Sequence, residues 1–449
     1  MKEDKKFLLS CVEEKSDRFF DYAKSIWGFA ELGCKEVQSS GLLVRVLKEN
    51  GFDVQTGVSG MPTAFIASWG TGKPAIAFSC EYDALPGLSP DSTAPGHGCG
   101  HNLLGVGNIL AAVAVKEWLS SRAMPGKVLV FGTPAEELCI GKPFMAQDGC
   151  FAGIDAVLDW HPYVENIADY DACNAYFNIK YHFRGRNCHG NSPWMGRSAL
   201  DGAVLMGHAI EMLREHIPPG KPGGANTINY TFSDVGPRYP SVVPDHATIW
   251  VIGRITDSKT MEDVIQRVNK CAEGASLATG TSWEMEFKTA SHEKLPNRTL
   301  AGVLHRNFTE IGGPYFSAEE QEKAREIQKQ MNAPELGLNT SLPPMRESYT
   351  ILCDNSEYSW FAPFAMIWVT LAPDGFGWHN RHIAAFAASS AGQKTLTTAA
   401  KVLAASASEL FLNPELLVEA KREMEERLGG RTFTRLIPEG TPIPSDLTD

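Results

Sequence analysis

At 449 residues the chain is longer than one ordinary hydrophobic core supports, so two or more domains are expected. It is 43% hydrophobic and 21% charged, as soluble globular proteins are, and its formal net charge of −12 argues against a nucleic-acid surface, which needs concentrated Lys and Arg. Residues 1–7 are charged where an export signal is apolar, no run reads as the ~20 apolar residues of a membrane span, and the ten cysteines contain no CxxC pair. The expectation is a cytoplasmic protein that binds neither nucleic acid nor membrane.

In chain order, helical spacing covers 16–32 and 40–50, and short runs rich in Val, Ile, Phe and Ala make strands of 64–68 and 75–79. A helix over 105–121 and strands over 127–132 and 156–159 continue the alternation. Strands separated by helices predict a mostly parallel sheet covered on both faces, the α/β class. The pattern then changes. Phe177, Ile179, Tyr181 and Phe183 share one face of a strand over 176–184. A helix over 198–216, strands over 227–235 and 247–255, a helix over 261–278 and a strand over 283–289 follow, the β-α-β-β-α-β order of a ferredoxin-like α+β module. The α/β style returns with a strand over 365–371 and a long helix from about 393. The module is therefore read as an insertion, residues 174–293, between the two parts of a catalytic domain, 1–173 and 294–449. Residues 317–346 read as a peripheral polar helix and loop, and the last dozen residues as a surface tail.

Four segments rich in ligand-type side chains share one placement, at or beyond the end of a strand. The strand over 75–79 runs into Glu81 and Asp83 and then the loop His97-Gly98-Cys99-Gly100-His101; the strand over 127–132 leads to Glu136-Glu137, the strand from 156 to His161, and the strand over 365–371 to His379. In open α/β sheets ligands sit beyond the carboxyl ends of the strands, so Cys, His, Glu, His and His converge on one edge. Taken singly each has an ordinary explanation: a buried thiol beside a surface imidazole, an acidic first helical turn, a satisfied polar histidine. Taken together they make a metal site. Thiolate, imidazole and carboxylate suit zinc or a similar transition ion, and five ligands exceed what one open catalytic zinc needs, so two metals sharing a bridge fit better. Of two adjacent carboxylates, one can bind metal while the other handles protons.

These motifs resemble the M20 metallopeptidase/amidohydrolase family, in particular its D subfamily of aminoacylase-like and p-aminobenzoyl-glutamate hydrolase-like enzymes. The residues that carry the resemblance are Glu81-Tyr82-Asp83-Ala84-Leu85-Pro86-Gly87, Gly96-His97-Gly98-Cys99-Gly100-His101-Asn102, Pro134-Ala135-Glu136-Glu137, Trp160-His161-Pro162, and the run from Ser192 to Asp201. The resemblance spans about residues 15–410. It implies a zinc-peptidase-like catalytic domain with an inserted lid that forms a homodimer, and two divalent ions per subunit, Mn2+ or Zn2+. It also implies roles: Cys99 as the bridge, Glu137 and His379 completing one site, His101 and His161 the other, Glu136 as general base and Asp83 behind the ligands. His189 matches a lid histidine that reaches into the partner's site to stabilise the oxyanion, and Arg254 a lid arginine that meets a substrate carboxylate. Spacing favours His379 over the nearby His382 as the last ligand.

The sequence also departs from the family pattern. Ser241 stands where the lid often has Asn before Val-Val-Pro, a substrate-contact position, and Cys353-Asp354-Asn355-Ser356-Glu357-Tyr358-Ser359 replaces a Thr-Asp-x-Gly-Asp-x-Ser run. The function expected is metal-dependent hydrolysis of a C–N bond in a small, carboxylate-bearing molecule: the amide of an N-acyl or N-aroyl amino acid, with Glu136 activating a metal-bound water. The alternative is an aminohydrolase that removes the amino group of an aromatic amine such as a nitroanthranilate. A non-catalytic binding protein on this fold would have lost the base or ligands, and here all are present.

Overall fold

The computed structural model describes residues 2–221, 224–350 and 353–448; Met1 of the charged amino-terminal segment and Asp449 of the tail lie outside them. Ten strands build its two main sheets: β1 (Asp53–Thr56), β2 (Phe65–Thr71), β3 (Ala75–Cys80), β4 (Gly126–Gly132), β5 (Ala156–Tyr163), β6 (Ala175–Arg184), β7 (Thr227–Gly236), β8 (His246–Ile255), β9 (Ser282–Ser291) and β10 (Phe364–Thr370).

The larger sheet runs β1-β2-β4-β3-β5-β10. Its four strands β4, β3, β5 and β10 are parallel, and β2 and β1 add an antiparallel edge. Every residue of β3 is buried, as in a strand covered on both faces. The polar β1, Asp-Val-Gln-Thr, lies outside the apolar runs that betray the other strands, and its exposed edge position explains why.

On one face lie the helices Lys2–Phe29, His101–Arg122, Arg298–Ile311 and Ser390–Leu412. The first starts well before residue 16, because Leu8, Val12, Phe19, Ala23 and Ile26 form a single buried stripe at helical spacing. The helix His101–Arg122 has the length and apolarity of a membrane span, but 83% of its apolar window is buried, so it is the central core helix. Two of its glycines let it sit close to the strand ends: a Cβ at Gly105 would stand 2.4 Å from the Glu81 carbonyl oxygen. The long helix near the carboxyl end stops at Leu412, and Pro414 opens a new one, Pro414–Leu428, where its missing N–H costs nothing.

The second sheet runs β7-β8-β6-β9, all antiparallel, with the helices Ala199–Arg214 and Ser258–Thr279 on one face. This is the ferredoxin-like arrangement. Its apolar core joins the other face of the large sheet in one cluster that includes Phe177, Ile249, Tyr358 and Ile437.

Ile437 lies just before the last dozen residues, which the sequence reads as a surface tail. Within that dozen Pro444 is buried, Ile443 and Leu447 pack partly buried against the same cluster, and the segment leading into it is tied down as well. Phe433 packs on Phe361 and His292 with ring centroids 4.7 and 4.8 Å apart, Arg431 pairs with Glu293 at 2.6 Å, the Ile437 N–H donates to Gln147, and Lys288 on β9 pairs with Asp446 at 3.0 Å. The segment ties the second sheet to the first. Its sparse apolar residues are spaced for a strap, a pattern that composition reads as a tail.

Candidate metal centre

β3 ends at Cys80, and the chain carries Glu81, Tyr82 and Asp83 straight past the sheet edge, all buried. It returns through the glycine-rich loop to Gly100, whose φ of +82° puts it in the left-handed region and starts the helix at His101. A side chain at Gly100 would also stand 3.0 Å from Pro162, which follows His161 at the end of β5. The loop glycines thus bring Cys99 to His161, with Sγ and Nε2 3.4 Å apart.

β4 leads to the single turn Glu136–Leu138, flanked by Ala135 and Cys139, both non-glycine residues at positive φ (55° and 53°). Such backbone is costly and persists only where its surroundings hold it. Here buried Glu36 accepts the Ala135 N–H at 2.7 Å and Thr289 donates to the Cys139 carbonyl. His379 is a third positive-φ residue, at 61°.

Asp83 joins the segments. Its Oδ1 lies 2.8 Å from His101 Nδ1, and its Oδ2 accepts the Glu137 N–H at 3.0 Å. A carboxylate on one ring nitrogen fixes the tautomer and leaves the other free for a metal. That other nitrogen, His101 Nε2, is buried without a hydrogen-bond partner, as are Glu81 Oε2 and Glu137 Oε1. Buried polar atoms are normally paired, so three orphans in one place are what an ion would satisfy.

The donors fall into overlapping sets. Cys99, His101 and His161 have ligand atoms within 4.8 Å of one another, and so do Cys99, Glu137 and His379. His379 Nε2 is 3.3 Å from Glu137 Oε2, whereas His382 turns its ring onto Phe376. A third set, Glu81, His101 and Glu136, places the Glu136 carboxylate 3.7 Å from His101 Nε2. The thiolate, imidazole and carboxylate donors fit divalent transition ions.

Burial, reinforced by the Glu81 charge, raises the pKa of Glu136; burial raises Glu137 to about 8. His161 is held down to about 4 by burial and by His101, which keeps it neutral as a ligand must be. Burial also raises the Cys99 thiol, the cost that a metal offsets by binding the thiolate.

Beneath the donors lies a group that the sequence reading left without a role. Lys142 is fully buried and ion-paired to Glu81 at 2.8 Å and to Asp354. The departure at 353–359 therefore has a structural account: Asp354 is the second counter-ion of a buried lysine. Glu36, which supports the Glu136 turn, was missed too. Lys142 and Glu36 sit in unremarkable sequence, and only the pairing of distant segments reveals them.

Arg254 on β8 lies directly across from Tyr176 on β6, 5.9 Å above its ring, and is near enough to Cys139 to oppose the rise that burial gives that thiol. His189 and Ser241 are exposed neighbours on the lid, where the Asn191 N–H donates to His189 Nδ1 at 3.2 Å. Among the described contacts none joins either of them to the donor cluster of the same chain.

Shared donors at the edge of an α/β sheet, beside an inserted α+β lid, define a metal-dependent hydrolase. Comparison with known proteins gives the family. Residues 174–279 match the M20 peptidase dimerisation domain. The chain is 33% identical to one of the subunits of p-aminobenzoyl-glutamate hydrolase from Escherichia coli, over all of this chain and 99% of that one. Among solved structures, an aminobenzoyl-glutamate utilization protein from Klebsiella pneumoniae has a TM-score of 0.60 at 15% identity, covering 87% of this chain and 96% of that one. A dinuclear metal-binding M20 peptidase of Bacillus subtilis has a TM-score of 0.55 at 16% identity, covering 87% and 99%. The chain belongs to the M20 family and is a metal-dependent amidohydrolase that uses divalent ions.

Proposed function

We propose that the chain hydrolyses the amide bond of an N-acyl or N-aroyl amino acid at a two-metal centre of Mn2+ or Zn2+. One observation carries this reading: Cys99 belongs to two donor sets at once, with His101 and His161 in one and Glu137 and His379 in the other, as a bridging ligand must. Bound there, two divalent ions would polarise the scissile carbonyl and lower the pKa of the attacking water.

The chain's own residues do the rest. Glu136, close to the donors yet outside both Cys99 sets, takes a proton from the water and returns it to the leaving nitrogen. Asp83 keeps His101 and Glu137 aimed. Arg254, on β8 over the Tyr176 ring, receives the carboxylate of the amino-acid half. His189 and Ser241, exposed on the lid, would complete the site of a partner subunit in a homodimer. The lid supports that assembly: β7 is an edge strand with Phe232 exposed, an open template for pairing. On this reading the domains are 1–173 with 294–449, and 174–293, and the ten unpaired cysteines suit a cytoplasmic setting.

The test is Glu136→Gln. Metal content, measured by mass spectrometry, should stay at two ions per subunit while kcat on an N-acyl amino acid falls by about 10²–10⁴. Full activity in this variant would sink the mechanism. Ammonia release from an aromatic amine, with no amide cleavage, would favour the aminohydrolase alternative.

A further inference from the structure

Of Cys99, His101, His161, Glu137 and His379, only His379 is exposed. It sits in the loop 371–380, which runs from the end of β10 to the helix Arg381–Ala387 and contains Gly375 and Gly377. A ligand on a loop is aimed only as well as that loop is held. Trp378 ties the loop inward, its indole N–H donating to Cys99 Sγ at 3.2 Å. From outside it is held by the segment that sequence pattern reads as a peripheral insertion. There the helix Ala318–Gln330 is polar, and its buried residues are Ala324 and Gln328. Both halves of the Gln328 amide are used: Oε1 accepts the Gly337 N–H at 2.8 Å, and Nε2 donates to the Asp374 carbonyl at 2.7 Å. One residue on, Gly375 has a φ of +115°, and a Cβ there would stand 2.4 Å from the Ala333 Cβ, so the loop lies directly on the turn after the helix. Ala333 is itself fixed by its N–H bond to the Gln328 carbonyl at 2.9 Å. The start of the loop is tied to the same insertion. Buried Asn166 accepts the Thr370 N–H at 3.0 Å and donates to the Asn339 and Ser341 carbonyls. The helix is docked in turn on the domain, because Glu320 accepts from the Ser390 hydroxyl and the Lys394 ammonium at 2.6 Å.

We infer that the insertion is a brace for the His379 loop and that Gln328 is its positioning residue. The amide holds the Asp374 carbonyl, and with it the backbone from which His379 meets the Glu137 carboxylate and the Cys99 thiol. The inference rests on the two-metal reading above, on its ligands and not on its substrate. A glutamine that only stapled the insertion together would bond within it, as Gln321 does on the same helix: both its amide atoms meet the Leu338 backbone. Gln328 instead crosses to the loop. Removing it strands a buried N–H and frees a loop carbonyl, and water cannot restore both bonds at a fully buried position. The set of Cys99, His101 and His161 is carried by β5 and the core helix and does not lean on the brace. Loss of the brace therefore acts on one ion of the pair.

The readout is metal, not turnover: Zn2+ bound per subunit of the full-length protein over a series of free Zn2+ levels set by a chelator buffer. Gln328→Met keeps the side-chain volume and removes both bonds, and Gly375→Ala pushes the loop off Ala333 from the other side of the contact. Each should weaken one of two ions by about 10–100-fold and leave the other at its wild-type affinity. Gln321→Met, which breaks bonds of the same kind inside the insertion, should leave both ions unchanged. His379→Ala marks the ion concerned. If His379→Ala loses one ion while Gln328→Met and Gly375→Ala keep both, the brace is overturned and the two-metal reading stands. If His379→Ala keeps both ions, His379 is not a ligand and the brace falls with that assignment. Equal weakening of both ions in Gln328→Met, or the same loss in Gln321→Met, would mean general damage to the fold and would overturn the brace as well. Should Gln328→Met fail to fold, Gly375→Ala decides.

Discussion

At the scale of single residues the centre depends on side chains that touch no substrate. Asp83 aims one imidazole and one backbone turn at once. Asp83→Ala should weaken metal affinity by about 10–100-fold, read by competition with a chelator, and leave the fold intact by circular dichroism. Lys142 is a different case. Its two counter-ions are buried with it, so Lys142→Met leaves Glu81 and Asp354 as uncompensated charges and should cost about 3–5 kcal/mol in urea unfolding. Adding Asp354→Leu to that variant should recover part of the loss, because one of the stranded charges goes. A double variant no more stable than the single one would show that the pair is not the source of the cost.

At the scale of elements, the carboxyl-terminal strap is the least expected feature. It bonds to β9 through Lys288 and Asp446 and to the large sheet's side through Phe433, Phe361 and Gln147. Ending the chain after Gly430 removes the buried Ile437 and these ties, and exposes the apolar cluster that both sheets share. The truncated protein should melt several degrees lower and exchange amide hydrogens faster along β9, while metal content persists. An unchanged melting point would mean that the strap merely lies on the surface. The helix His101–Arg122 offers a converse test. Gly105→Val would push it from the Glu81 carbonyl and displace His101, so metal occupancy should fall together with stability.

For the whole molecule the telling quantity is the coupling of metal, charge and pH. Glu36 and Glu137 are raised to about 8 and Asp159 to about 7, each mainly by burial. An acid whose folded pKa is raised binds more protons folded than unfolded, so the stability it contributes is present below its unfolded pKa and lost as pH rises through the folded value. His97 and His161, lowered to about 4 by burial, act oppositely between pH 4 and 6.5. Above pH 6.5 the raised carboxylates remain in play, joined by His101. Against the pull of burial, the Cys99 and Asp83 charges hold His101 well above 6.5, and its contribution is likewise lost as pH rises. The chelator-stripped protein should therefore lose melting temperature from pH 6.5 to 8. The metal-loaded protein, whose ions favour the ionised form of Glu137 and the neutral ring of His101, should lose less, keeping only the share due to Glu36 and Asp159. Parallel pH profiles for the two forms would refute this linkage.

The sequence alone determined the class. Apolar runs separated by helical spacing specify a parallel sheet, the period-two strand at 176–184 specifies a second style of packing, and the ligand-bearing segments each follow a strand; all are local patterns set by burial on one or two faces. Cys99, His101, Glu136, Glu137, His161 and His379 were legible because their types and strand-end positions are themselves local. The tertiary structure decided what depends on distant partners. Lys142 finds its counter-ions at residues 81 and 354, Glu36 supports a turn a hundred residues away, the strap finds β9, and three aromatic rings from β5, β10 and the loop before His379 meet beside His161. A buried charge or a half-exposed ring has no periodicity to announce it. Its role is set by what the fold places within a few ångströms, and that is fixed only once the sheets have formed.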